Sequence, residues 1–143
     1  MARIKIDLPD TFSFSYEIPV RITDINYGGH VGNDTVLTII HEARMQFFRK
    51  LGYTELNFGG TGMLMADVAI EFKSELFYGD IVIASVVAGE ISKAGFELFY
   101  KLEKQTDDIK KLVAAAKTGM ICYDYEKRKI VAVPEDARIK LMG

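Results

Sequence analysis

Apolar residues recur at helical spacing over just one long segment of this chain. Between Asp34 and Leu51, the residues Val36, Leu37, Ile40, Ala43, Phe47, Phe48 and Leu51 fall on one arc at about 100° per residue. Thr38, His41, Glu42, Met45 and Arg49 occupy the opposite arc. Asn33 or Asp34 suits the amino-terminal cap, and Gly52 stands just past the end. A lone amphipathic helix must bury its stripe against something, and elsewhere the chain offers strands.

Tyr16, Ile18, Val20 and Ile22 alternate, which predicts a strand over Tyr16–Ile22 with one buried face. Pro19 lies on the other face, lacks an amide donor and suits a sheet edge. Four further strands are predicted, over Met63–Lys73, Asp80–Ile91, Phe96–Lys104 and Lys111–Tyr123. The first of these is expected to bury Leu64, Ala66, Val68, Ile70 and Phe72. The next, "DIVIASVVAGEI", is apolar on both parities and needs cover on both faces, of which one helix supplies only one. "SKAG" and "TDDIK" read as hairpin turns, and a short last strand is placed around Lys129–Val133. Pro134 then opens a short C-terminal helix, with Glu135 and Asp136 in its first turn and Arg138 and Lys140 near its end. The order predicts an α+β domain, with one long helix packed on a mostly antiparallel sheet of five to six strands.

The length, residues 1–143, fits a single domain, with no repeat, low-complexity run or linker to divide it. With 18 basic and 20 acidic residues, no basic patch of nucleic-acid type stands out. The one cysteine, Cys122, excludes an intrachain disulfide framework and reads as a buried thiol. The longest nearly uncharged run, Ile81–Gly89, is too short to span a bilayer, and the first ten residues hold no signal-like apolar run. A cytoplasmic protein with no membrane partner is expected.

Hydrogen-bonding groups concentrate in "DINYGGHVGND", residues 24–34, where the first strand runs toward the helix. If the strand stays extended, Asp24 and Asn26 continue its inward parity. The helix start offers free backbone N–H groups and a positive dipole end, and the glycines let a ligand approach the backbone. Residues 52–62, "GYTELNFGGTG", lack the ending of a phosphate loop and read as a flexible turn or, less simply, as a lid. His30 and His41 do not stand at metal-ligand spacing, so no metal is expected.

Read into the helix, the segment "VRITDINYGGHVGNDTVLTIIHEARMQFF" resembles the hot-dog-fold acyl-CoA thioesterases of the 4-hydroxybenzoyl-CoA thioesterase type. The matching pieces are Asp24, Gly29-His30-Val31, Asn33 and Glu42-Ala43-Arg44. "VAIEFKSELFYGDIVI", with Gly79-Asp80 at its turn, is similar to that family's passage between its second and third strands. The resemblance implies a sheet wrapped round the long helix, hydrolysis of an acyl-CoA-like thioester without a cofactor, and a homodimer or homotetramer with sites between protomers. A partner subunit would supply the second cover of the apolar strand.

The chain departs from the family at one position. Where the family carries a carboxylate three residues before the motif glycine, this sequence has Asn26, and an amide neither takes a proton at neutral pH nor attacks as a carboxylate does. The resemblance implies an oxyanion hole at the Asn33 amide. Asn26 either holds a water or the carbonyl, or stabilises the turn. His30 is either an acid–base group or a loop anchor. Asp24 is either the base or a structural carboxylate. Its rival is Glu42, since a second branch of the fold takes its base from the helix across the dimer. Glu42 stands about 13 Å along the axis from Asn33 and reaches that site only from another chain, or if the substrate lies along the helix. The alternative function is a non-catalytic acyl-CoA or acyl-carrier-binding hot-dog module, and a hydratase on the same fold ranks last. For the carrier phosphates, Lys73, Lys93 and Arg44 are equal candidates.

Overall fold

A computed structural model describes residues 3–143. The elements run β1 (Phe14–Pro19), a 3-10 turn (Ile22–Asp24), α1 (Asn33–Leu51), β2 (Gly62–Phe72), β3 (Ile81–Ile91), β4 (Gly95–Thr106), β5 (Ile109–Asp124), β6 (Lys129–Ile130) and α2 (Glu135–Met142). Five strands form one antiparallel sheet in the order β1-β3-β4-β5-β2, and β6 pairs with β5. Pro19 therefore sits on an edge strand, where its missing donor costs no ladder bond.

Helix α1 buries Val36, Ile39, Ile40, Ala43, Arg44, Phe47 and Phe48. The stripe is rotated from the predicted one, with Ile39 and Arg44 in and Leu37 half out. Phe48 is fully buried, with its ring 5.5 Å from that of Phe58 and 6.2 Å from that of Phe96. Gly52 ends the helix at φ 89°, a left-handed position that favours glycine. The amino-terminal cap is Gly32, not Asn33 or Asp34, and no side chain caps it.

Two strand expectations are corrected. Strand β1 stops at Pro19, and Ile22, in the turn beyond it, is 67% exposed. Tyr16 is exposed too, because it lines an open cavity between β1 and α1, while Phe14 and Ile18 on the same face pack against the core. In β2, a bulge between Met65 and Asp67 shifts the parity, so that Leu64 pairs with Ile121 on the outer face while Val68, Ile70 and Phe72 share the helix-side face. On this far edge the helix gives little cover, and Met65, Val68 and Phe72 stay 38–40% exposed.

The outer sheet face is covered in part by the chain itself. Glu71, Ala115, Lys101, Ser85 and Ser15 form one row across the sheet. The Ile6 amide donates to Glu71 Oε1 at 3.1 Å, and Lys101 Nζ lies 4.8 Å from the Phe12 ring centre. Residues 6 to 12 thus strap the sheet along that row, leaving Ala115 at 2% and Ser85 at 6% exposure. The amino-terminal segment supplies part of the second cover for β3, at Ser85, while Ile81 stays 50% exposed. The glycine-rich connection is also better held than a flexible turn: Phe58 is fully buried, and Asn57 Oδ1 accepts the Gly60 amide at 3.1 Å.

Helix α2 is fastened at the carboxyl end of α1. Lys140 Nζ donates to the Leu51 carbonyl at 3.0 Å, and the Tyr53 hydroxyl donates to Asp136 Oδ2 at 2.6 Å. That Tyr53 bond, reinforced by burial and by the Asp136 charge, pushes the phenol up from 10.0 to about 12, and it holds Asp136 below the usual carboxylate range. The phenol's contribution is full below pH 10.0 and lost as pH climbs through about 12. The carboxylate's is present above its unfolded value and lost as pH falls through the lowered one. At neutral pH both are in force, so Tyr53→Phe is expected to speed amide exchange across Glu135–Met142. Equal neutral-pH exchange in the two proteins would refute this anchoring.

Candidate active site

The chain from Val20 to Gly32 is shaped by its own polar groups. Asp24 Oδ2 accepts the Arg21 amide at 2.8 Å, and Oδ1 lies 3.4 Å from the Arg21 guanidinium. Asp24 is 8% exposed, so it is buried as expected, but by this turn and not by extended parity. Ile25 and Val31 bridge, the Asn26 amide donates to the His30 carbonyl at 2.9 Å, and Gly29 turns at φ 82°. Asn26 Oδ1 accepts the Gly28 amide at 2.9 Å, the turn-stabilising alternative for that residue.

This loop lies against the connection between β2 and β3. The Val31 amide donates to the Leu76 carbonyl at 2.9 Å, and the His30 ring stands edge-on to Phe77. His30 Nε2 lies 3.8 Å from Glu75 Oε1, and Nδ1 lies 3.3 Å from the Val31 carbonyl.

At the head of α1, the Gly32 carbonyl accepts the Thr35 and Val36 amides at 3.1 Å each. The amides of Asn33 and Asp34, the first two of the helix, have no acceptor among the described residues. A Cβ at Gly32 would stand 2.7 Å from Asp34 Oδ1 and 3.5 Å from Asn26 Nδ2, so the bare glycine lets the Asp34 carboxylate and the Asn26 amide approach the helix end. A Cβ at Gly28 would stand 3.2 Å from His30 Nε2 and 3.4 Å from Asn26 Oδ1. Asn26, His30 and the Asn33 amide are thus gathered around two close-approach glycines.

Asp24 and Glu42 are elsewhere. They share a cavity of about 420 Å³ between β1 and α1, with Tyr16, Arg21, Thr38 and His41 on its walls. His30 and Asn33 line a second cleft of about 270 Å³, with Val36, Phe72, Lys73 and Glu75. The five candidate residues therefore divide within one chain into an electrophilic group at the helix head and a carboxylate group on its flank. Glu42 is exposed, and its Oε1 accepts Gln46 Nε2 at 3.1 Å.

Several neighbours escaped the sequence reading. Arg21 carries the expected spacing for a local pair with Asp24, but Glu55 carries no signal at all. Its carboxylate reaches back from the glycine-rich connection to His41 Nε2 at 3.0 Å and to Arg44 Nε at 3.7 Å. Arg44, a sequence candidate for the carrier phosphates, is 5% exposed and points at Tyr100, so it faces the core. The Lys93 carbonyl accepts the Val133 amide beside α2, which places this residue at the far end of α1 within one protomer. Lys73 remains, on the second cleft. Among the described residues no cluster of three or more His, Cys, Asp or Glu suits a metal, and no helix is long and apolar enough to cross a membrane.

The family model described as the thioesterase-like superfamily matches residues 20–141, most of the chain. The chain belongs to the thioesterase-like superfamily. A protein of Aquifex aeolicus (strain VF5) named "Putative esterase" is 26% identical over 125 residues, spanning 86% of this thioesterase-like chain and 93% of that protein. The crystal structure of a 1,4-dihydroxy-2-naphthoyl-CoA thioesterase from Synechocystis superposes with TM-score 0.80 at 21% identity, over 90% of this chain and 95% of that one. A mutant 4-hydroxybenzoyl-CoA thioesterase complexed with 4-hydroxybenzoyl-CoA superposes with TM-score 0.81 at 17% identity, over 90% and 97%. These likenesses establish the hot-dog fold for this thioesterase-like chain, as the sequence resemblance implied.

Proposed function

We propose that this chain hydrolyses an acyl-CoA-type thioester to the free acid and thiol, at a site completed by a second copy. The observation that carries the reading is the pair of unpaired amides at the head of α1, opening beside His30 and Asn26. Preorganised N–H donors there would donate to the carbonyl oxygen and strengthen their hold as it becomes an oxyanion. Asn26 Oδ1 is engaged by Gly28, which leaves Nδ2 to orient the carbonyl or the water.

A water must then lose a proton as it attacks. What favours Glu42 as the base is that both Asp24 oxygens are engaged by Arg21, whereas Glu42 is exposed in its cavity. Its distance along the helix from Asn33 calls for a Glu42 from a neighbouring protomer. The incompletely covered β2 edge, with Met65, Val68 and Phe72 exposed, supports such an association. The tetrahedral adduct collapses by releasing a thiolate, whose conjugate acid titrates at about 8.5, so the leaving group needs little acid assistance.

A panel of acyl-CoAs assayed with a thiol-detecting dye tests the reading, with release of thiol and acid in equal amounts as the expected result. The lack of a carboxylate at Asn26 favours a second reading, an acyl-CoA-binding module without turnover. Binding of an acyl-CoA with no thiol release from any member of the panel would select it. In that case Asn26→Asp is expected to create measurable turnover.

A further inference from the structure

We propose that His41 holds the attacking water beside Glu42, and that Glu55 sets the His41 ring for that task. The proposal rests on the thioesterase reading and adds a second residue acting on its nucleophile. A water that attacks a carbonyl has two O–H groups. Glu42 takes the proton of one, and an acceptor for the other keeps the oxygen lone pair aimed at the carbonyl carbon. The cavity between β1 and α1 supplies such an acceptor. His41 directly precedes Glu42 in α1 and lines the same cavity, with Arg21, Asp24 and Thr38. Consecutive helix residues diverge by about 100°, so the two side chains approach one molecule from two sides, and the rigid helix carries both to a neighbouring protomer together. Glu42 Oε1 accepts Gln46 Nε2, which leaves Oε2 for the water.

Glu55 decides which ring nitrogen is bare. A carboxylate only accepts, so the 3.0 Å bond between His41 Nε2 and Glu55 Oε1 places the proton on Nε2. The uncharged ring then carries its lone pair on Nδ1, which has no hydrogen-bond partner among the described residues. His41 walls the cavity and Glu55 does not, so the ring reaches from the connection on its Nε2 side to the cavity. Glu55 is itself fixed from behind. Its other oxygen, Oε2, lies 3.7 Å from Arg44 Nε. Arg44 is buried, and its Nε has no hydrogen-bond partner among the described residues. Arg44 Nη1 donates to the Tyr100 hydroxyl at 3.4 Å, and that hydroxyl pairs with Thr118 Oγ1 at 2.7 Å. This buried guanidinium aims the Glu55 carboxylate, and through it the imidazole. A latch for the connection is the plainer role for the pair. Yet buried Phe58 and the Asn57 turn already hold that segment, and a half-exposed ion pair adds little stability.

Two substitutions, each keeping one end of the ring, test the role. His41→Asn keeps an acceptor near the Nδ1 position and gives up the bond to Glu55. His41→Gln keeps a donor near the Nε2 position and gives up the acceptor. On the fastest thioester of the panel, His41→Gln is expected to lower kcat by roughly 10–100-fold with little change in KM, and His41→Asn should lose several-fold less. A latch gives the reverse order, with His41→Gln tolerated and the amides of residues 53–61 exchanging faster in His41→Asn. Ring-nitrogen NMR shifts add a readout that does not depend on turnover. The wild type should show His41 protonated on Nε2 and bare on Nδ1, and Glu55→Gln should mix the two tautomers, since a side-chain amide donates as well as accepts. A ring protonated on Nδ1 in the wild type would overturn the proposal, as would equal losses in the two His41 variants. Turnover unchanged in His41→Gln would remove this role and keep the hydrolase. No thiol release by the wild type from any thioester would remove the hydrolase and this role with it.

Discussion

Glu42→Gln is expected to lower kcat by about 10²–10⁴-fold with little change in KM, the loss typical of removing a general base from a site whose binding contacts remain. The substitution is nearly isosteric. A glutamine carbonyl still accepts the Gln46 side-chain amide that Glu42 Oε1 accepts at 3.1 Å, so the helix surface should not rearrange. What disappears is a group able to take a proton. Asp24→Asn provides the contrast. Asp24 Oδ2 accepts the Arg21 amide at 2.8 Å, and a neutral asparagine would accept it less strongly. That change should therefore weaken the turn leading to the helix head and reduce thermal stability while leaving most turnover. Steady-state kinetics of both variants decide between the carboxylates, and a severe kcat loss in Asp24→Asn beside a near-normal Glu42→Gln would reverse the assignment. A mixture of Glu42→Gln protein with a variant inactivated at the helix head adds a second check. Recovery of activity on mixing is expected if the base and the amides come from different protomers.

Phe48→Ala is expected to cost about 3–5 kcal/mol, among the largest single losses available to a core of this size. Phe48 has 0% exposure, and its ring contacts those of Phe47, Phe58 and Phe96 at centroid distances of 5.7, 5.5 and 6.2 Å. It therefore joins α1, the glycine-rich connection and β4 in one cluster. Truncation leaves a cavity among aromatic rings held by three different elements, which cannot all move in to fill it. Set against a typical domain stability of about 5–15 kcal/mol, the loss should lower the melting temperature by roughly 10–20 °C. Because Phe58 is the anchor of the connection that carries Glu55, residues 53–61 should also lose protection from amide exchange ahead of the sheet. A melting temperature within about 3 °C of wild type would mean that the core tolerates the void, against the packing described here.

Much of this architecture was legible because local chemistry matched global position. The 3.6-residue stripe of α1, Gly52 at its end, Pro19 on an edge, the hairpin turns and Pro134 ahead of α2 each follow from a residue's effect on its own backbone. The polar corner was legible for the same reason, since Asn26, Gly28, Gly29 and His30 are turn-forming residues that converge on the helix head. The cap was misread because Asn33 and Asp34 are both good capping residues, while the residue with the cap conformation is Gly32, which has no side chain to announce it. Arg44 was misread because a long cationic side chain normally seeks water. Here Tyr100, Thr118 and Glu55, distant in sequence, converge to receive it.

The sequence by itself determined one long helix, its partner strands, the loop that feeds the helix head, and the polar residues gathered there. Only the tertiary structure decided which faces are covered, that Asp24 is buried and taken up by Arg21 while Glu42 is exposed beside Gln46, and that the two carboxylates line a different cleft from His30 and Asn33. The physical reason is that periodicity records where a side chain points relative to its own backbone. Cover, by contrast, depends on which remote segment arrives above it, and a single inserted residue such as the β2 bulge at Ala66 reverses a face without altering composition.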